Sequence, residues 1–177
     1  DCDTTGVEPD FALVKFKKLA GGGYFKIINQ SLPPALRRLG YSAEQIDDIV
    51  AFAAGRQTLA GAPHINHETL AKFGFDDATL RKVEEAVRAA FDVRFAFNKN
   101  VLGEEFCRER LELTDEQLDD WNFDLLKHLG FSRAQISEAN DYVCGTMTVE
   151  GAPHLKDEHL PIFDCANRCG RTGTRFI

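Results

Sequence analysis

The sequence has 177 residues, 44% of them hydrophobic and 28% charged, with a formal net charge of −7. This balance is typical of a globular chain with a buried core, and it excludes disordered and collagen-like classes. No run approaches the roughly 20 apolar residues of a membrane-spanning helix, and the acidity argues against nucleic acid as a partner.

The first predicted element is a helix that begins at Pro9 or Asp10 and ends in the glycine run at 21–23. Three later runs have the composition of strands: 24–29, 91–97 and 146–149. The remaining apolar spacing is helical, in about eight short segments. The sequence therefore predicts a mainly α fold of short helices with a few short strands.

Four of these helices have recognisable first turns. The predicted cap residues are Ser42, Asp76, Thr114 and Ser132. In all but the aspartate case, a glutamine three residues later completes a capping box. The helix from Asp76 is expected to run to about Phe91, whereas Gly55 and Gly145 end the two serine-capped helices.

The two serine-capped helices belong to an internal duplication. Residues 39–70 align without a gap to residues 129–160 at an offset of 90, and 13 of the 32 aligned positions are identical. Chance would give roughly one identity in fifteen positions from average residue usage. The sequence therefore predicts a twofold internal repeat.

Both copies contain a Gly-Ala-Pro-His turn, which places His64 and His154 directly after a proline. Glu68 and Glu158 follow four residues later, so each turn is a candidate for acid/base or ligand chemistry. A duplicated feature is more often scaffold, with the histidine bonded to backbone or to the cap of the next helix. We favour the structural interpretation and keep the chemical one as the alternative.

The C-terminal part contains residue types that bind zinc: His154, His159, Cys165 and Cys169. Their spacing lacks the C-x2-C pair of structural zinc sites, so no metal is predicted. The two cysteines also lack the C-x-x-C spacing of a redox pair. Five scattered cysteines are typical of reduced thiols, and we expect a cytoplasmic protein.

Two segments carry a resemblance to a known family. Residues 4–9 read Thr-Thr-Gly-Val-Glu-Pro, and residues 158–166 read Glu-His-Leu-Pro-Ile-Phe-Asp-Cys-Ala, followed by Gly170-Arg171. Over essentially the whole chain, the sequence resembles the long-form, adenosylcobalamin-dependent (class II) ribonucleotide reductases. The resemblance implies a ten-stranded α/β barrel in which cobalamin generates a radical on a cysteine and ribonucleotides become deoxyribonucleotides.

The resemblance also indicates which parts of such an enzyme these residues contain. The family's N-x-C-x-E motif is absent from them, and its phosphate-binding turn would precede Asp1. We therefore expect an internal fragment that is inactive alone, with no catalytic residue and no bound cofactor, and with cofactor-binding residues unassigned. The residues that match a family motif near the substrate are Thr4, Thr5, Gly6, Glu8 and Pro9.

In this interpretation residues 1–38 connect to the barrel, 39–160 form a duplicated helical insertion, and 161–177 return to the barrel. The expected partners are the remainder of the barrel and, in the full enzyme, the ribonucleotide and a thiol reductant. The alternative is a helical protein-interaction or nucleic-acid-binding module with two helix-turn-helix-like repeats, since a glycine turn follows each capped helix. The acidity argues against its nucleic-acid form.

Overall fold

The structure of the chain is a computed structural model that describes residues 13–18 and 24–164. These residues are mainly helical, with one two-stranded sheet. They belong to two compact units. We call residues 57–144 the central unit, and the residues before 57 and after 144 the flanking unit. No helix in the described part is long and apolar enough to cross a membrane.

Among its described residues, the flanking unit has the sheet and two helices before the central unit, and one 3₁₀ helix after it. Its elements are β1 (Val14–Lys18), β2 (Tyr24–Ile28), α1 (Leu32–Arg38), α2 (Ala43–Ala54) and a 3₁₀ helix (Asp157–Phe163). The strands are antiparallel, with Val14 opposite Ile28. Its apolar cluster includes Leu36 and Ile49 from the first two helices and Val149 from the later segment, all fully buried.

The central unit is all helical and has its own apolar cluster. Its elements are α3 (His67–Ala71), α4 (Asp77–Val87), a 3₁₀ helix (Val93–Ala96), α5 (Lys99–Leu102), α6 (Glu104–Glu109), α7 (Asp115–Asp119), α8 (Leu125–His128) and α9 (Arg133–Cys144). The fully buried members of the cluster include Leu59, Leu70, Val83, Leu102 and Leu126.

The cap residues predicted from sequence begin helices in the structure. The Ser42 hydroxyl accepts from the Gln45 amide at 3.3 Å, and the Gln45 side chain accepts from the Ser42 amide at 3.0 Å. Ser132 and Gln135 form the same pair of bonds at 3.2 and 2.9 Å. Asp76 caps α4 as well. These four-residue patterns were predictable because both partners lie within one turn.

The helix that begins after Asp76 ends at Val87, four residues before the predicted end at Phe91. The amide of Ala90 donates to the Val87 oxygen at 3.2 Å, a three-residue bond that tightens the chain at this end. Two residues later the Asp92 carboxylate accepts from the Arg94 amide at 2.9 Å and starts the 3₁₀ helix.

Two predicted strands and part of one predicted helix are wrong. Residues 91–97 contain the 3₁₀ helix, because the Asp92 cap competes with an extended backbone. Residues 146–149 form no strand, since the amides at 146 and 147 bond to carbonyls at the end of α2.

The helix predicted from Pro9 to the glycines at 21–23 is wrong over 14–18, which form β1. Its sequence alternates apolar and lysine residues with the period of a strand. Of the rest of that predicted helix, residues 9–12 and 19–23, including the glycine run, lie outside the described residues. The predicted strand at 24–29 is confirmed as β2.

Candidate functional site

The substrate-loop candidates Thr4, Thr5, Gly6, Glu8 and Pro9 lie outside the described residues. Cys165 and Cys169 lie outside them as well. The roles assigned to these residues stay predictions. Within the described residues, the candidate sites are the two Gly-Ala-Pro-His turns and an aromatic cavity.

In the central unit, the first turn is tied to the last helix of that unit. His64 has a φ of 60°, in the left-handed region. Its Nε2 lies 2.8 Å from Oε2 of Glu138 on α9. Its backbone oxygen accepts from the Thr69 hydroxyl at 2.8 Å, which links the turn to α3. The side chain and the backbone oxygen of His64 therefore both hold the turn in place.

In the flanking unit, the second turn has the same form. His154 has a φ of 65°, and its Nε2 lies 3.1 Å from Oδ2 of Asp48 on α2. Asp48 and Glu138 occupy equivalent positions in the two repeats, 90 residues apart. Each histidine is thus bonded to the helix of the other repeat, although sequence reasoning had placed Glu68 and Glu158 beside them.

Backbone bonds follow the same reciprocal pattern. The Met147 amide donates to the Ala53 oxygen at 2.9 Å, and the Gln57 amide donates to the Val143 oxygen at 2.9 Å. Both acceptors lie in the last turn of a helix, where carbonyls lack a partner within the helix. In each of the two aligned segments, 39–70 and 129–160, a residue after the helix satisfies the helix end of the other segment.

This geometry favours a structural role for the turns. The side chains of His64 and His154 are 37% and 42% exposed, and each is paired with one surface carboxylate. An acid/base site needs its groups within hydrogen-bond reach of a bound reactant. Here the ring nitrogen that faces the protein is already occupied by the carboxylate.

The central unit also contains an open cavity of about 510 Å³. Its apolar lining includes Phe95, Phe97, Leu118, Trp121 and Phe123. Trp121, the single tryptophan of the chain, is 99% exposed, and Phe95 is 64% exposed. This cavity was not predicted from the sequence, because Phe95 and Trp121 are 26 residues apart and only the fold brings them to one cavity. The sequence did indicate an exposed position for Trp121, because this residue lies within a run of acidic residues.

One ion pair lies at the rim of the cavity. Nζ of Lys99 donates to Oδ1 of Asp119 at 2.8 Å. This bond lowers the pKa of Asp119 and raises the pKa of Lys99, so both groups stay charged at neutral pH. Asn98 uses its side-chain oxygen to cap α5 and its nitrogen to donate to the Phe95 oxygen at 2.7 Å. These bonds fix Phe95 and Lys99 at the rim.

The described cysteines are not arranged for nucleophilic chemistry. Cys107 and Cys144 are both buried. Burial raises the pKa of the Cys107 thiol, and the nearby Glu104 carboxylate raises it further. A thiol is nucleophilic as its thiolate, so Cys107 is protonated and unreactive at neutral pH.

Comparison with known proteins finds similarity to ribonucleotide reductases. The family model of the ribonucleotide reductase barrel domain matches residues 1–94. Over all 177 residues the chain is 57% identical to vitamin B12-dependent ribonucleotide reductases of Bradyrhizobium diazoefficiens and Agrobacterium fabrum. It is 60% identical to the enzyme of the same name from Streptomyces avermitilis over 67 residues, which are 38% of the chain and 7% of that relative. The chain spans 14% of the length of the first two relatives.

Proposed function

The chain belongs to the ribonucleotide reductase family, and we propose that it is part of a vitamin B12-dependent enzyme that converts ribonucleotides to deoxyribonucleotides. The observation that carries this proposal is the 57% identity to enzymes of that name over the whole chain. Because the chain spans 14% of their length, the activity belongs to a longer protein. The partners of the chain are the remainder of the barrel and, in the longer protein, the ribonucleotide and a thiol reductant. The cytoplasm is the proposed location of that protein.

We propose adenosylcobalamin as the cofactor and place its site in other parts of that protein. The cavity of about 510 Å³ in the central unit lies in the range of drug-sized ligands. A corrin ring with its nucleotide tail and adenosyl group is larger than a drug-sized ligand, which supports a site elsewhere. The buried thiols of Cys107 and Cys144 also support a radical cysteine elsewhere.

The role we propose for this part of the enzyme is scaffolding by a twofold repeat. The support comes from bonds in equivalent positions, since His64 and His154 each hold a helix of the other repeat. Paired backbone bonds at the helix ends have the same reciprocal pattern. Because each copy of the repeat is bonded to the other copy, the repeat holds together stretches of chain that are far apart in sequence.

Cofactor binding tests the placement of the site. Adenosylcobalamin binding is measured by equilibrium ultrafiltration on the full-length protein and on the 177-residue chain. We expect binding to the full-length protein and none to the chain alone. Tight binding to the chain alone would contradict the placement, and absence of binding to both would contradict the cofactor.

A further inference from the structure

We propose that the central unit docks a basic peptide segment of a partner protein on the surface formed by Phe95, Asp119, Asp120 and Trp121. We call these four residues the aromatic surface. This proposal goes beyond the proposed reductase activity and does not depend on it.

Large aromatic side chains are exposed beside the cavity of the central unit. Trp121 is 99% exposed and Phe95 is 64% exposed, and both line the cavity of about 510 Å³. The floor is apolar, with Phe97 buried and Phe123 partly buried. Tryptophan is enriched among the residues that dominate binding energy at protein interfaces. An exposed ring next to an apolar recess is therefore suited to a side chain inserted from outside.

The central unit is acidic. Residues 57–144 contain 17 acidic and 10 basic side chains, a net charge of −7, whereas the rest of the chain contains 11 of each. The whole net charge of the protein thus lies in the central unit. Residues 112–124 contain six carboxylates and no cation, and they include three members of the aromatic surface. Charge complementarity favours a basic partner.

The cations near the cavity are already neutralised by carboxylates. Lys99 is paired with Asp119 at 2.8 Å, and Lys127 with Asp124 at 3.1 Å. Arg94 is paired with Asp92. A phosphate-bearing ligand would have to compete with these carboxylates. Asp120, which none of these three ion pairs uses, is the carboxylate that attracts an arginine or lysine.

These features together define the chemistry of the occupant. A guanidinium or ammonium group over the Trp121 or Phe95 ring gains a cation–π interaction, and Asp120 is close enough in sequence to add a carboxylate. An apolar side chain from the same segment fills the recess at Phe97 and Phe123. The occupant is therefore a peptide in which basic and apolar residues alternate.

The test uses the full-length protein and a fluorescein-labelled peptide of alternating arginine and leucine residues spaced by glycine. Fluorescence anisotropy gives its affinity for the wild type, Trp121→Ala, Asp120→Lys and the control Asp157→Lys. Trp121 and Asp120 are exposed, but Asp120 also accepts from the Asn122 amide at 2.8 Å, so circular dichroism of each variant checks that the fold is intact. Asp157 is an exposed carboxylate of the flanking unit and a matched control for Asp120.

We expect saturable binding that weakens as salt is raised. Trp121→Ala should weaken it about tenfold or more, as for a central interface tryptophan, and Asp120→Lys should weaken it while Asp157→Lys has no effect. Equal binding of a peptide with glutamate in place of arginine would overturn the proposal. So would equal affinity of all variants, or no binding because another part of the polypeptide covers the surface.

Discussion

At the residue scale, Gly145 lies directly after α9 with a φ of 77°. A Cβ atom at this position would lie 2.5 Å from both the Ala53 oxygen and the Ala54 carbonyl carbon, which are backbone atoms and cannot rotate away. Gly151 has a similar φ of 81°, but a Cβ there meets nothing within 4 Å. A substitution of Gly151 therefore tests backbone strain alone, whereas a substitution of Gly145 tests backbone strain together with steric overlap.

We expect Gly151→Ala to lower the free energy of unfolding by about 1 kcal/mol, the cost of a left-handed alanine. Gly145→Ala should cost at least about 3 kcal/mol more, since backbone must shift to admit the methyl group. Urea unfolding followed by circular dichroism measures both. Equal costs would show that the close approach of Gly145 to α2 is absent.

Cys107 gives a second prediction at this scale. Burial raises its pKa above the ordinary 9.0, so the folded state favours the neutral thiol. The resulting stabilisation is complete below pH 9.0 and is lost as pH rises through the higher pKa of the folded state. We expect unfolding free energy to fall above pH 9.0, and Cys107→Ala to reduce that fall. Rapid alkylation of Cys107 in the native protein at neutral pH, detected by mass spectrometry, would contradict its burial.

At the element scale, the helix starts were predictable and the partners of the turns were not. Ser42 and Gln45 are three residues apart, so their mutual bonds follow from local sequence. The partner of His64 is Glu138, 74 residues away, and only tertiary structure brings them together. The wrong strand at 91–97 has a local cause instead, since its apolar alternation was outweighed by the Asp92 cap two residues from Arg94.

The equivalent caps of α2 and α9 allow a prediction on whole helices. We expect Ser42→Ala and Ser132→Ala each to lower the free energy of unfolding by about 1 kcal/mol, because a first-turn amide loses its acceptor. Ser137→Ala is the matched control, since this exposed serine lies inside α9 and alanine favours helix. Thermal unfolding should show losses at both caps and none at the control. A loss at one cap alone would mean that the two helices are not equivalent in the fold.

At the scale of the whole molecule, the compact central unit, 57–144, does not coincide with either repeated segment, 39–70 or 129–160. The central unit is continuous in sequence, has its own core, and joins its two ends through the bond from the Gln57 amide to the Val143 oxygen. The repeat 39–70 contains α2 without the segment after 145 that satisfies the end of that helix. The division into barrel connections and an insertion at 39–160 concerns the parent protein and stays a prediction.

We therefore expect residues 57–144 to fold cooperatively when expressed alone, and residues 39–70 to remain unfolded. The physical reason is that the first segment buries a complete apolar cluster and the second does not. Circular dichroism and urea titration of the two fragments measure this. A folded 39–70 fragment would show that the repeat is self-sufficient.

The family resemblance was visible in residues 4–9 and 158–166, and the family itself is confirmed by the match to the barrel domain. The catalytic claim is tested most directly by ribonucleotide reduction in the full-length protein, with a dithiol reductant, in the presence and absence of adenosylcobalamin. We expect deoxyribonucleotide to form when the cofactor is present and not when it is withheld. No product with the cofactor, or equal product without it, would contradict the assignment of this chain to a cobalamin-dependent reductase.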